Sequence, residues 1–221
     1  MSLFLFMSFM VLAFINWFAA ASLRMKLYYT TKPFVLLFLI LWFVHLGGLN
    51  FPLFKFFLGL VFSLLGDIAL IFQNRKSFIA GMVFFAIAHL CYALGFSQWR
   101  PAWQSIGSVL LLVAFLVLLI IVFPKASGNN QSWVESFRKA AFVYAFFLLG
   151  MAGTALACFW RKDWPFGPAL MASAGALLFV TSDSMIGAEV MHLTKRKMRF
   201  WIIMTYHVAQ ALIVGSVLLI R

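Results

Sequence analysis

The sequence predicts an all-α fold: a polytopic transmembrane helix bundle of about eight spans. Two observations carry that reading. Of 221 residues, 65% are hydrophobic and 10% are charged, whereas a water-soluble domain of this size needs many more charges to cover its surface. The apolar runs also recur from end to end, and a secretory signal would explain only one of them. Segments that cross hydrocarbon are then helices, because an open strand edge finds no hydrogen-bond partner there. Residues 1–221 read as a single integral membrane domain.

A span needs roughly 17–25 residues to cross about 30 Å of hydrocarbon. The runs of that length lie at 3–22, 33–49, 53–72, 78–97, 103–123, 138–159, 167–190 and 200–220. Pro33, Pro52, Pro101 and Pro165 fall at or before predicted helix starts, where a missing N–H is tolerated best. The one sizeable connection, 124–137 with SGNNQS inside it, has no room for a soluble domain. Any chemistry therefore takes place within the membrane or at its edge.

Basic residues predict the orientation. Alternate connections hold Arg24, Lys26, Lys32, Arg75, Lys76, Lys125, Arg138, Lys139, Lys195, Arg196, Lys197 and Arg199, twelve in all. The opposite side collects five: Lys55, Arg100, Arg161, Lys162 and Arg221. By the positive-inside rule the richer side is cytoplasmic and both termini are non-cytoplasmic. Topology and anionic-lipid contacts thus account for the formal charge of +12 without a nucleic-acid partner. Cys91 and Cys158 sit inside apolar runs, which argues against a disulfide framework or a cysteine metal site. The third span reads FSLLGDIAL and the seventh LFVTSDSMI, and the following spans carry AHLCYAL and YHVAQAL. Such a correspondence would amount to a parallel four-helix repeat.

Ionisable groups inside spans are expensive and mark functional candidates. From the helical rise, Asp67 lies about 8 Å, Asp183 about 10 Å and His207 about 12 Å from the inner ends of their spans. Tyr206 precedes His207, although consecutive helix residues point about 100° apart. His89 is placed near the midplane with Tyr92 on the same face. Lys32 stands at the predicted entrance of the second span, before Pro33. Glu189 and His192 read as interfacial, and Glu135 and Asp163 as solvated loop residues. Trp17, Trp42, Trp99, Trp103, Trp160, Trp164 and Trp201 lie near span ends, where interface anchoring suffices.

Two carboxylates at one depth on different helices are the strongest feature. Lipid exposure would drive both toward the bundle interior. Close together in a low-dielectric pocket they resist joint ionisation, leaving a neutral acid beside an ionised base. Acid-catalysed addition of water requires that combination. Two other readings fit the same residues: polar helix packing satisfied by Ser, Lys or Tyr, and a small-molecule or proton-coupled transporter. Zinc held by two Asp and two His is chemically allowed, but the histidines lack short-range ligand spacing and differ in depth. There is no phosphate-binding glycine loop, HExxH, GxSxG or nucleotide motif. Ser63, Ser182 and Ser184 flank the acids without forming a nucleophile elbow.

A set of ordered fragments carries a resemblance: Lys32-Pro33, Gly66-Asp67, Phe85, Ala88-His89, Tyr92, Ser182-Asp183, Tyr206 and Ala209-Gln210. With them the chain resembles, over most of its length, the YhhN/TMEM86 family of integral membrane proteins, the bacterial YhhN and animal TMEM86 proteins. The family's characterised activity is lysoplasmalogenase. The resemblance implies an ether hydrolase that cleaves the vinyl-ether bond of a lysoplasmalogen to a fatty aldehyde and a glycerophospho-ethanolamine or glycerophospho-choline. Asp67 and Asp183 match the family's acidic motifs and are the implied catalytic pair. Lys32 would reach the substrate phosphate. His89, Tyr92, Tyr206, His207 and Gln210 would orient the acids, the water or the glycerol hydroxyl. No metal, nucleotide or other cofactor is required. The expected partners are a lysophospholipid and bilayer lipids, and the expected location is a bacterial cytoplasmic (inner) membrane.

Overall fold

The computed structural model describes residues 1–97, 131–190 and 198–220. They form seven helices: α1 Ser2–Ala21, α2 Met25–His45, α3 Phe54–Ile71, α4 Arg75–Ser97, α5 Gln131–Leu156, α6 Phe166–Val190 and α7 Arg199–Leu218. A 3₁₀ turn, Ala157–Trp160, extends α5. Each helix is long and apolar enough to cross a membrane, and the described residues include no strand. The predicted span at 103–123, Trp99, Trp103 and His192 lie outside the described residues.

Every consecutive pair of these helices packs together, and α1 also packs on α7, so they close into a ring. The ring interior is filled by Leu36, Leu39, Phe43, Phe56, Leu60 and Phe179. The outer faces present Phe4, Phe14, Phe142 and Phe146, as a lipid-facing surface should. Gly59 and Gly66 bring α3 and α4 together: a Cβ at either would strike the ring of Tyr92 or Phe85, respectively, at under 3 Å. Small residues permit this approach in a medium that supplies no hydrophobic drive between helices.

Five of the predicted spans agree with the observed helices to within one or two residues at each end, apart from the start of α4 at Arg75. The second differs. Helix α2 begins at Met25, so Pro33 lies inside it rather than at its start. Proline withholds the hydrogen bond that the carbonyl four residues earlier would accept. Here buried Asn16 on α1 braces the weakened turn, donating to the Tyr28 carbonyl and to Thr31 Oγ1, both at 2.8 Å. The carbonyl freed by Pro33 is that of Tyr29, so these bonds tie the adjoining residues of the same turn to α1 rather than replace the missing one. Lys32 is consequently two turns inside α2 and buried, not at its entrance. The loop expected at 124–137 is also shortened, because α5 starts at Gln131 and takes in Glu135.

Several tryptophans serve the interior instead of the interface. Trp17 Nε1 donates to His207 Nδ1 at 3.1 Å, Trp42 packs on Phe6, and Trp164 is buried against Phe96. Trp160 and Trp201 remain exposed. Asp163 lies 3.7 Å from Arg161.

Candidate active site

Each aspartate is held by two other helices. Asp67 projects from α3 next to Gly66, almost fully buried. Lys32 Nζ on α2 lies 3.0 Å from Asp67 Oδ1, and Tyr206 on α7 donates to Oδ2 at 2.9 Å. Both oxygens thus have a donor, and the buried negative charge has a positive one against it. A buried pair with full hydrogen bonding avoids the large penalty of an isolated buried ion.

Asp183 projects from α6 and meets α4 and α5. Tyr144 on α5 donates to Asp183 Oδ2. His89 Nε2 on α4 lies 3.0 Å from the same Tyr144 hydroxyl and 3.4 Å from Asp183 Oδ2. Since Tyr144 gives its one proton to the carboxylate, the 3.0 Å contact is a donation from His89 Nε2–H. His89 Nδ1 is buried and has no partner among the described residues.

Both aspartates line one cavity of about 390 Å³. Lys32, Tyr206, Phe85, Ser182 and Ile203 form its inner wall. Ser182 itself donates to the Ile202 carbonyl at 3.0 Å, tying α6 to α7. Toward the ends of the helices the lining passes to Tyr28, Tyr29, Asn74, Arg75, Glu189 and Arg199. Arg199 lies over the Tyr28 ring, 5.7 Å from its centroid, and donates to Met25 Sδ at 2.9 Å. Glu189 Oε1 accepts the Met198 N–H at 2.5 Å. A second, smaller cavity of about 90 Å³ adjoins the first along Leu70, Phe78, Phe85, Asp183 and Ile186.

Of the residues predicted for the site, Asp67, Asp183, Lys32 and Tyr206 share the main cavity. His89 meets it through Asp183. Tyr92 and Gln210 do not line it: Tyr92 donates to Gln210 Oε1 at 2.6 Å, and Gln210 Nε2 donates to Ser63 Oγ at 3.0 Å. Ser63 and Gln210 sit one helical turn from Asp67 and Tyr206, so this buried tie fixes the platform on which Asp67 stands. His207 turns toward Trp17 on α1. Tyr144 was not anticipated. In RKAAFVYAFFLLG it reads as one more aromatic, and its hydroxyl at the depth of an intramembrane acid was the only clue. Among the described residues no three His, Cys, Asp or Glu side chains group as metal ligands would.

Fold and site together define a polytopic helical membrane protein whose polar groups converge on two intramembrane carboxylates. Sequence comparison supplies the family. The YhhN family profile matches residues 27–217, and the chain belongs to that family. It is similar to Bos taurus lysoplasmalogenase TMEM86A, 32% identical over 168 residues, covering 73% of this chain and 64% of the relative. The Homo sapiens protein of that name is 32% identical over 165 residues, with the same coverage. Homo sapiens lysoplasmalogenase TMEM86B is 34% identical over 164 residues, covering 72% of this chain and 62% of the relative. The chain thus spans just under two thirds of the length of these curated relatives. No solved structure matches it.

Proposed function

We propose that this chain hydrolyses the vinyl-ether bond of a lysoplasmalogen, using Asp67 and Asp183 as an acid–base pair within the membrane. The observation that carries the reading is the shared cavity of the two carboxylates, in a chain whose relatives are named lysoplasmalogenases. Vinyl-ether cleavage needs a proton on the β-carbon, stabilisation of the resulting oxocarbenium ion, and water at the α-carbon. The hemiacetal so formed collapses to an aldehyde and an alcohol. Two carboxyl groups facing one cavity supply those requirements.

The two environments suggest a division of labour. Asp183, held by Tyr144 and His89 with no lysine among its partners in the described residues, delivers the proton. Asp67, with Lys32 against it, faces the cation and draws the proton from the attacking water. Once Asp183 has given its proton it adds a second negative charge beside the oxocarbenium ion.

Because Lys32 is committed to Asp67, the headgroup phosphate falls to Arg199 and Arg75 at the cavity rim. That end of the bundle is cytoplasmic on the basic-residue reading. Arg199→Gln should raise KM for a lysolipid severalfold with kcat little changed; an unaltered KM would remove the arginine from headgroup binding.

The test of the reaction is turnover by the purified protein of a lysoplasmalogen and its saturated 1-O-alkyl counterpart, following aldehyde release. Aldehyde should form from the first and not from the second, which has no double bond to protonate. Absence of aldehyde from the vinyl ether would refute the proposal.

A further inference from the structure

The smaller cavity has a shape that the acid–base chemistry leaves unused. Three helices supply most of its lining at helical spacing, with Leu70 of α3 at its edge: Phe78, Met82 and Phe85 from α4; Ala141, Tyr144, Ala145 and Leu148 from α5; and Val180, Asp183, Ser184 and Gly187 from α6. Small side chains on membrane helices ordinarily let the helices close on one another. Here Ala141 and Ala145 line, together with Ser184 and Gly187, a space of about 90 Å³ among the described residues. Among the described residues, Asp183 and Tyr144 are the strongly polar side chains in its wall besides Ser184; Asp183 lines the main cavity as well, and Tyr144 is hydrogen-bonded to it.

We infer that this cleft is a binding site for the hydrocarbon chain of the lysolipid, holding the methylenes next to the reacting bond. The inference rests on the hydrolase reading above and deepens it. A space of about 90 Å³ is large enough to take the first few carbons of a chain. With the polar head toward Arg199 and the first chain carbons between α4, α5 and α6, the vinyl ether lies at the junction, beside Asp183. Moving a chain from bilayer hydrocarbon into an apolar cleft gains little hydrophobic energy, since the two media are alike. What the cleft contributes is position, which fixes the β-carbon against the proton donor.

The experiment fills the cleft. Ala145→Leu, and separately Ala141→Leu, are compared with the unsubstituted protein on hexadec-1-enyl and prop-1-enyl glycerophosphoethanolamine. The propenyl chain ends before it enters the space that the new leucine occupies. The ratio of kcat/KM for the long chain over the short one should fall at least tenfold in both variants. In parallel, a saturated 1-O-alkyl lysophosphoethanolamine carrying a diazirine on its fourth chain carbon should crosslink to peptides containing Met82, Ala145 or Val180. That labelling should be lost in the leucine variants. An unchanged ratio, or crosslinks falling outside α4, α5, α6 and Leu70 of α3, would overturn the inference. Crosslinking needs no turnover, so cleft labelling by a protein that releases no aldehyde would uphold the cleft while refuting the reaction.

Discussion

The surroundings of Asp67 and of Asp183 are built to one plan and differ in one respect. Each carboxylate is bonded by the helix that precedes its own and by the helix that follows the other's. Asp67 takes Lys32 from α2 and Tyr206 from α7; Asp183 takes Tyr144 from α5 and His89 from α4. It is the crossed pattern that a parallel four-helix repeat would generate. The difference is charge: the place that Lys32 fills beside Asp67 is filled beside Asp183 by a tyrosine. Both line the main cavity, but one acid has 1% of its side chain exposed and the other 10%. Equivalent scaffolds can therefore hold two carboxyl groups in unlike electrostatic states, which is the condition for an acid and a base to coexist.

The sharpest test of that contrast is Asp183→Asn. If Asp183 is the proton donor, kcat should drop by about 10²–10⁴-fold. The thermal melt should hold, because the amide oxygen of Asn can still accept from Tyr144 and His89. A variant that retains full turnover would end the paired-acid mechanism.

Asp67→Asn should behave differently, losing activity and stability together. Breaking a buried ion pair by removing one partner costs about 3–5 kcal/mol, read as a lowered melt. Adding Lys32→Met should recover much of the melt without restoring turnover. If Asp67→Asn melts like the unsubstituted protein, Lys32 has found another partner and the asymmetry argument fails.

Tyr144→Phe should have the smallest effect. It removes one hydrogen bond to a carboxyl group, about 1.5–3 kcal/mol, or at least roughly tenfold in rate if the bond persists through the transition state. Rates of Tyr144→Phe and Tyr206→Phe measured side by side compare the two surroundings directly. Equal losses in both rate and melt would mean that the tyrosines play the same part, contrary to the division proposed here.

Most of the fold was legible because hydrocarbon imposes a length rule: α1, α3, α6 and α7 each end within a residue or two of where their apolar runs do. Asp67, Asp183, His89 and Tyr206 were legible because polar groups in such runs are conspicuous. Lys32 was conspicuous too, but its position was misread. Pro33 looked like a helix start, and nothing local in the sequence reveals that Asn16, on another helix, braces the turn. Lys32 therefore seemed to stand at the surface, available to a phosphate, when it is paired with Asp67. Tyr92, Gln210 and His207 were rightly marked as intramembrane polar groups, yet their partners are each other, Ser63 and Trp17. Pairing across helices depends on rotation about each helix axis, which hydropathy does not encode. Tyr144 was invisible because its ring satisfies the same apolar pattern as its phenylalanine neighbours.

The Lys32–Asp67 pair also bears on how the chain enters the membrane during synthesis. A lysine or an aspartate near the centre of a lone inserting helix costs about 2.5–3.5 kcal/mol on insertion scales. Lys32 and Asp67 lie on consecutive helices, α2 and α3, so both are made before any residue of the second half. If the two helices leave the translocon as a hairpin, each charge reaches lipid already matched. Asp183, by contrast, emerges after His89 and Tyr144 are in place, and meets finished partners. The order of the charged residues along the chain is thus also an order of insertion in which no ionised side chain waits alone for its counterpart.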